Sequence, residues 1–253
     1  MNFFLSLIIF IFGLLVGSFL NCVIFRIEKN ESFLLGRSYC PNCKHKLSFL
    51  DLIPIFSFLF LKGKCRYCQK KISWQYPLIE LVAGLLFLLV FHFYSLSLLF
   101  FFFSAVISLL LIVFVYDLKH YLIPDNIIYF GIILVSLYLI CSKSGFDHLW
   151  AALGLAGSFL AIVYFSKEKW MGLGDVKLAF LMGLILGWPA TLVALFLASF
   201  TGAIMGIGLI LLRKKGMKSE VPFGPFLTAG TVISLFWANE LMTWYFNLFN
   251  YVD

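Results

Sequence analysis

Eight apolar segments dominate the sequence, and most are long enough to cross a bilayer as a helix, which takes about 20 apolar residues. They are residues 3–25, 77–96, 97–116, 126–142, 148–166, 178–189, 190–212 and 226–248. Only 12% of the 253 residues are charged, against about 25% in soluble domains. These proportions exclude a disordered chain, a disulfide-rich secreted module and an ordinary soluble enzyme. We predict an all-α polytopic membrane protein with about eight transmembrane helices.

Three of these segments need comment. Residues 178–189 are short and end at Pro189, so this segment and 190–212 could be the two arms of an interrupted hairpin. Segments 77–96 and 97–116 abut, which predicts a tight turn between them. The first segment has no basic residue before its apolar run, which is untypical of a signal peptide. We interpret it as a retained first helix with its N-terminus outside.

The charge of the chain is concentrated in one loop. Residues 26–76 carry ten Lys or Arg and three acids, a net charge of +7 that equals the charge of the whole chain. With eight helices and this loop inside, 18 of the 19 basic residues fall on one side, which the positive-inside rule assigns to the cytoplasm. Topology therefore explains the basic balance without nucleic acid, and the expected partner is a bilayer with acidic lipids.

The same loop holds two CxxC pairs separated by 21 residues. The four cysteines are Cys40, Cys43, Cys65 and Cys68. This spacing is typical of a tetrahedral zinc site, and four thiolates close the coordination shell, so the zinc would be structural. The alternatives are disulfides, which a reducing cytoplasm disfavours, or free thiols. His45 could replace one ligand but is expected to face solvent, and Cys22 and Cys141 are interpreted as small apolar residues.

Two acids at the expected cytoplasmic ends of apolar helices stand out. Asp117 follows a purely apolar run, and Asp175 ends the sequence Gly172-Leu-Gly-Asp175. Acids at the membrane are costly and indicate function. Two carboxylates at one depth could form an aspartic dyad that shares a proton. Equally, each acid could cap a helix or pair with Lys119 or Lys177.

Six motifs in a fixed order resemble those of the bacterial type IV prepilin peptidases. They are Gly17-Ser-Phe-Leu-Asn-Cys-Val-Ile-Phe-Arg26, the two CxxC pairs, the stretch 72–81, Asp117 with Pro124-Asp125, the GxGD motif at 172–175, and Pro222-Phe-Gly-Pro-Phe226. Together they cover nearly the whole chain. Any one of them is weak evidence, but six in order are strong.

This resemblance implies a membrane aspartic endopeptidase of the GxGD type. It would cleave the basic leader from type IV prepilins or pseudopilins, of type IV pilus or type II secretion systems, at the cytoplasmic membrane face. The resemblance assigns the catalytic acids to Asp117 and Asp175. Asp125 is the rival for the first position, but it follows Pro124 at a helix start, where acids commonly cap. Members with the CxxC loop typically also methylate the new N-terminal residue with S-adenosyl-methionine.

The methyl-donor site is much harder to locate from the sequence, because the chain has no strand–turn–helix GxGxxG motif. The polar residues available for it, in no order of preference, are Gly17, Ser18, Asn21, Arg26 and Glu80. Their alternative roles are close helix packing and, for Arg26, anchoring at the cytoplasmic face. Glu80 and Glu168 are also candidates to bind the basic leader.

The chain divides on this interpretation into a first helix (1–25), a tetracysteine loop domain (26–76) and a membrane peptidase domain (77–253). Three alternative functions remain open. The protein could be a peptidase without methyltransferase activity. It could be a proton-coupled transporter that uses Asp117, Asp175 and Glu240, although such acids belong at the bilayer midplane. It could also be an assembly factor that docks a partner on its zinc loop.

Overall fold

The computed structural model describes residues 3–32, 36–143, 145–211 and 221–250, and within these ranges it contains helices and no strand. The helices are α1 (Phe3–Glu28), α2 (Phe56–Phe60), α3 (Gln75–Tyr94), α4 (Leu98–His120), α5 (Asp125–Ser142), α6 (Gly145–Ser166), α7 (Leu173–Leu186), α8 (Ala190–Leu211) and α9 (Gly224–Asn250). A 3₁₀ turn at Phe49–Leu52 precedes the short α2.

The predicted all-helical membrane fold is confirmed. Each of the eight apolar segments overlaps one long helix, from α1 and α3 to α9. By length and hydropathy, six of them could cross a membrane, namely α1, α3, α4, α5, α6 and α8. The other two are α7, which has only 14 residues, and α9, which is long but less apolar.

Helices α4 and α7 extend beyond their predicted bounds, and each extension takes in one of the two candidate catalytic acids. Helix α4 continues to His120, where Tyr121 adopts a φ of 56° and its N–H bonds to the Asp117 carbonyl at 2.9 Å. This left-handed residue caps the helix. Helix α7 begins at Leu173, after Gly172 in an extended conformation. Asp117 therefore lies in the last turn of α4, and Asp175 lies in the first turn of α7.

The turns between abutting segments are tight, as predicted. Between α3 and α4, Ser95 adopts a φ of 50° and the Ser97 hydroxyl donates to the Tyr94 carbonyl at 2.8 Å. Between α7 and α8, Gly187 adopts a φ of 66° before the cis Trp188–Pro189 bond. Helices α7 and α8 are thus separate helices interrupted at the position expected from Pro189.

The chain forms two compact units, and the first comprises Met1–Ser108. Here α1 packs closely along α3. A Cβ atom added at Gly17 would lie 2.7 Å from the Cα of Glu80, which is too close for any side chain. Small residues at such crossings let membrane helices approach each other at backbone distance. The loop with the four cysteines connects these two helices.

The second unit comprises Leu109–Asp253, and α7 is its central helix, packed against α5, α6 and α9. The contact with α6 is backbone to backbone, because a Cβ atom at Gly183 would overlap the main chain of Ala152. Leu178, Ala179 and Met182 of α7 are also buried. The central position of α7 gives Asp175, in its first turn, a rigid support.

Candidate active site and metal centre

Asp117 is a buried carboxylate in the last turn of α4, with only 4% of its surface exposed. It accepts a hydrogen bond from the backbone N–H of Gly224, the first residue of α9. A helix N-terminus carries unpaired N–H groups and a positive partial charge, which favour an anion. A Cβ atom at position 224 would overlap the Asp117 carboxylate, so the contact requires glycine.

Asp175 is half-buried in the first turn of α7. The backbone N–H of Gly172, which caps this helix, donates to the Asp175 carboxylate. The neighbouring Gly174 lies against Ile123 of the segment between α4 and α5, and a Cβ atom there would stand 3.1 Å from the Cβ of Ile123. Asp175 thus caps its helix, as one of the sequence interpretations expected.

The capping role does not exclude the second interpretation, because the structure also brings Asp117 and Asp175 together. The two carboxylates lie within electrostatic range of each other, so the charge of one acts on the other. Both candidate acids therefore lie in the same part of the second unit.

Asp125, the rival for the first catalytic position, has a different environment. It is exposed at the start of α5, and its Oδ1 forms an ion pair of 2.7 Å with Lys177 Nζ. The same ammonium group lies 5.3 Å from the centroid of the Tyr129 ring. Asp125 is therefore engaged by a cation, whereas Asp117 interacts with another acid.

Two further acids named from the sequence are exposed. Glu168, two residues after the end of α6, lines a cavity of about 600 Å³ whose wall includes Tyr164 and Leu173. Glu240 lies on the exposed surface of α9. A proton path through Asp117, Asp175 and Glu240 would need all three acids inside the helix bundle. The exposed position of Glu240 does not support that alternative.

The four cysteines of the loop converge. The sulfur atoms of Cys40, Cys43, Cys65 and Cys68 all lie within 4.8 Å of one another, and Cys40 Sγ is 3.9 Å from Cys68 Sγ. Tetrahedral zinc with Zn–S bonds of about 2.3 Å places sulfurs about 3.8 Å apart. Within the described residues this cluster contains no other ligand, and His45 is exposed and stacks on Tyr67 at 3.7 Å between ring centroids.

Both CxxC pairs adopt the same local structure. In the first, Cys40 N–H bonds to the His45 carbonyl at 3.0 Å and Lys44 has a φ of 56°. In the second, Cys65 N–H bonds to the Lys70 carbonyl at 2.9 Å and Gln69 has a φ of 58°. Each of the two turns therefore directs its two sulfur atoms toward the same point. The donor set, spacing and geometry all fit zinc.

The pKa values of two cluster thiols, Cys40 and Cys43, are shifted in opposite directions. Burial raises the pKa of the Cys40 thiol, but hydrogen bonds from the backbone N–H groups of Cys43 and Asn42 and from the Cys43 and Cys65 thiols together lower that pKa to about 7. At Cys43 the backbone of His45 lowers the pKa, while burial and the sulfurs of Cys40 and Cys68 raise it to about 11. A metal that binds all four thiolates must therefore displace protons.

Four of the five residues considered for the methyl donor lie together between α1 and α3. Asn21 Nδ2 donates to the Tyr76 carbonyl at 3.0 Å, and the Ser18 side chain hydrogen-bonds to Glu80. Glu80 also accepts from the Ile55 N–H at 2.8 Å. Gly17 supplies the close helix contact described above. The buried Asn21 Oδ1 has no hydrogen-bond partner among the described residues.

Arg26 has a separate role from these four residues. Its guanidinium donates to the carbonyls of Gly36 at 2.8 Å and Ser32 at 3.2 Å, and so orders the start of the loop.

The sequence interpretation missed the contacts of Gly224 and Ile55. For Gly224 the available signal was the Pro-Phe-Gly-Pro-Phe motif, which marked the position without revealing its partner.

Fold and sites together define an all-helical membrane protein with a pair of interacting acids at helix ends and a tetracysteine loop. Comparison with known families assigns it more narrowly. Residues 11–94 match the bacterial peptidase A24 N-terminal domain, and residues 104–207 match the type IV leader peptidase family. The chain belongs to the type IV leader peptidase family.

Relatives support this assignment over nearly the whole length. The chain is 36% identical to a prepilin leader peptidase/N-methyltransferase of Bacillus subtilis, over 95% of this chain and 98% of the relative. It is 33% identical to the protein of that name from Aeromonas salmonicida (94% and 92%) and 31% identical to that from Legionella pneumophila (96% and 94%). No solved structure matches.

Proposed function

We propose that this protein is a membrane aspartic endopeptidase that removes the leader from type IV prepilins or pseudopilins. The observation that carries the proposal is the electrostatic interaction of Asp117 with Asp175 in a member of a leader peptidase family. Relatives that span almost all of this chain are named prepilin leader peptidase/N-methyltransferase.

In the proposed mechanism, the two acids share one proton. The ionised carboxylate takes a proton from a water molecule as its oxygen attacks the scissile carbonyl carbon, and the protonated partner donates to the carbonyl oxygen. When the tetrahedral intermediate collapses, the C–N bond breaks and the leaving amine receives a proton from the acid pair. The Gly224 N–H holds the Asp117 carboxylate in position throughout.

The proposed second activity is methyl transfer to the new N-terminal amine: the amine nitrogen bonds to the methyl carbon, the S–CH₃ bond of S-adenosyl-methionine breaks, and S-adenosyl-homocysteine leaves. This amine has an ordinary pKa of about 7.7–8.0, so a carboxylate that accepts its proton assists the reaction. Glu80 is the carboxylate of the polar cluster between α1 and α3, which makes this cluster the proposed place for the reaction. Gly17, Ser18 and Asn21 complete it, and Arg26 orders the adjoining loop.

The four cysteines are proposed to hold a structural zinc ion. Four thiolate ligands leave no open coordination position, so the metal would stabilise the loop and take no part in hydrolysis. A loop of this size has too small a core to fold on its own, and metal binding supplies the missing free energy.

The proposed location is the bacterial cytoplasmic membrane, with the loop and the acid pair on the cytoplasmic side. The charge of the loop supports this orientation. The substrates are prepilins of type IV pili or pseudopilins of type II secretion systems. Within this scheme residues 1–25 are the first membrane helix, 26–76 the zinc loop domain and 77–253 the peptidase domain.

The acid pair is tested by cleavage of a prepilin in proteoliposomes that contain the full-length protein. Asp117→Asn and Asp175→Asn are each expected to lose activity by a factor on the order of 10²–10⁴. Both variants should keep the zinc content and helical circular dichroism of the unmodified chain. Cleavage at an undiminished rate by either variant would remove that residue from the mechanism.

Methylation is tested separately by the mass of the processed N-terminus. With S-adenosyl-methionine present, the product is expected to be 14 Da heavier per methyl group, a shift fixed by the chemistry of adding CH₂. Glu80→Gln is expected to abolish this shift while cleavage continues. An unmethylated product from the unmodified protein would indicate a peptidase alone.

A further inference from the structure

The loop between α1 and α3 contains an apolar segment, residues 49–61, whose large side chains point outward. Phe49 is 80% exposed and Phe60 is 83% exposed. Other exposed members are Leu50, Leu52, Phe56 and Leu59. Contiguous exposed apolar surface is rare on soluble parts of proteins and marks an interaction with a partner or a membrane.

The single acid of this segment does not interrupt the apolar surface, because it turns inward. The side chain of Asp51 is only 4% exposed and pairs with Arg66 Nε at 2.8 Å. Its Oδ2 also accepts hydrogen bonds from Ser48 Oγ at 2.7 Å and from the Tyr67 hydroxyl at 3.2 Å. The outward surface of the segment therefore carries no acidic charge.

Two contacts fix the depth of the segment relative to α3. The Ile55 N–H donates to Glu80 Oε2 at 2.8 Å, and Glu80 lies five residues inside the helix that starts at Gln75. At 1.5 Å per residue, this places Glu80 about 7–8 Å beyond the helix start. The ring of Phe58 packs on Trp74 at 4.9 Å between centroids. The segment thus lies at the level where a candidate membrane span begins.

The backbone at this point is held in an unusual conformation. Ile55 has a φ of 62° and a ψ of −51°, and Phe56 N–H bonds to the Pro54 carbonyl at 2.6 Å. This is a strained turn for a β-branched residue, and its N–H is directed to the buried Glu80. The strained turn orients α2 so that Phe58 faces inward, while Phe56, Leu59 and Phe60 face outward.

Basic residues surround the segment in sequence. The lysines among them with exposed side chains are Lys44, Lys46, Lys62, Lys64, Lys70 and Lys71. An apolar surface at the level of a membrane boundary, next to several lysines, matches the chemistry of an anionic bilayer surface, where acyl chains lie below acidic headgroups. A soluble protein partner would not need the segment to lie at this depth.

We propose that residues 49–61 form an interfacial segment that inserts into the anionic lipid leaflet beside α3. The outward Phe and Leu side chains enter the boundary between headgroups and acyl chains, and the neighbouring lysines contact acidic headgroups. Insertion anchors the cysteine loop on the membrane surface.

The test uses the full-length protein in nanodiscs with the photo-crosslinking residue p-benzoylphenylalanine at position 60. The matched control carries the same residue at position 42, where exposed Asn42 lies in the same loop but outside the segment. Both proteins are illuminated in nanodiscs of phosphatidylcholine alone and of phosphatidylcholine with phosphatidylglycerol. Zinc content shows that each protein is folded, and mass spectrometry identifies the crosslinked molecule.

Lipid adducts at position 60 should exceed those at position 42 several-fold, with a further increase when phosphatidylglycerol is present. Equal lipid adducts at both positions would overturn insertion. Adducts at position 60 mainly to protein, either the same chain or a second copy, would show that the segment is a protein contact. If the yield of lipid adducts at position 60 were the same with and without phosphatidylglycerol, the role given to the lysines would be overturned.

Discussion

The backbone N–H of Gly224 donates a hydrogen bond to the carboxylate of Asp117, although 106 residues of sequence separate the two. The N-terminus of α9 thereby supports the acid at the end of α4. Both residues belong to the second compact unit, in which α7 carries Asp175. This contact explains why a glycine stands between Phe223 and Pro225.

Replacement of Gly224 by alanine is expected to disable the acid pair without unfolding the protein. The new Cβ atom would overlap the Asp117 carboxylate and displace it. Because a displacement of about 1 Å can cost roughly 100-fold in rate, prepilin cleavage should fall on this order. Gly206→Ala in α8 is the matched control, since a Cβ atom there meets nothing within 4 Å. Equal activity of the two variants would contradict the positioning role.

Asp125→Asn should leave cleavage nearly unchanged. The substitution breaks an ion pair with Lys177 in which the Asp125 side chain is 52% exposed. Exposed ion pairs contribute about 0–1 kcal/mol, so the loss of stability should be correspondingly small. Initial cleavage rates and thermal unfolding in detergent measure the two effects. If Asp125→Asn were as inactive as Asp175→Asn, the catalytic pair would have to be reassigned.

Removal of one cluster cysteine should release the metal. Cys65→Ser is expected to lower the zinc content from about one per chain to well below one, measured by elemental analysis of the purified protein. Exposed Cys141, which lies outside the cluster, provides the control, and Cys141→Ser should keep its zinc. A zinc-free unmodified protein would refute the metal site itself.

Asp51 should strengthen metal retention through the second CxxC pair. It joins Ser48 to Arg66 and Tyr67, which lie between Cys65 and Cys68. Asp51→Asn is therefore expected to speed the transfer of zinc to a chelator several-fold. Ser57→Ala, in the same segment, should not. Identical release rates for Asp51→Asn and the unmodified protein would exclude this role.

The contribution of Asp51 should also follow pH in a defined way. Burial raises the pKa of this carboxyl, but the Ser48 donors and Arg66 outweigh it and leave the pKa below its ordinary value. A lowered pKa in the folded state stabilises the loop at pH values above the unfolded value of about 3.9 and loses this effect below it. The difference in the free energy of unfolding of the loop between Asp51→Asn and the unmodified protein should thus stay constant from about pH 8 to 5. A difference that shrinks within this interval would contradict the assignment.

Gly183→Ala should destabilise the second unit. The added Cβ atom would overlap the Ala152 backbone and separate α6 from α7, and overpacking of this kind costs about 1–3 kcal/mol. Gly154→Ala in α6 adds the same atom where nothing lies within 4 Å. Thermal unfolding should show a lower midpoint for the first variant only. A midpoint lowered equally in both would mean that loss of glycine itself, and not the helix contact, is responsible.

Much of the fold could be predicted because its signals are local. Each membrane helix is a run of apolar residues whose backbone groups must bond internally, so α1 and α3–α9 could be located from composition alone. The positions of the helix ends are predicted less accurately. The extension of α4 to His120 depends on the left-handed cap at Tyr121, and the start of α7 depends on Gly172. Neither capping conformation has a strong sequence signal.

The sequence by itself determined the membrane helices, the two CxxC pairs and the short list of acids, since these follow from residue type and spacing. Only the tertiary structure decided that Asp117 interacts with Asp175 while Asp125 pairs with Lys177. It also decided that Gly224 supports Asp117 and that Ile55 reaches Glu80. These contacts join residues that are far apart in the chain. They exist only because backbone-to-backbone helix packing, such as that at Gly17 and Gly183, brings particular helix turns to the same level.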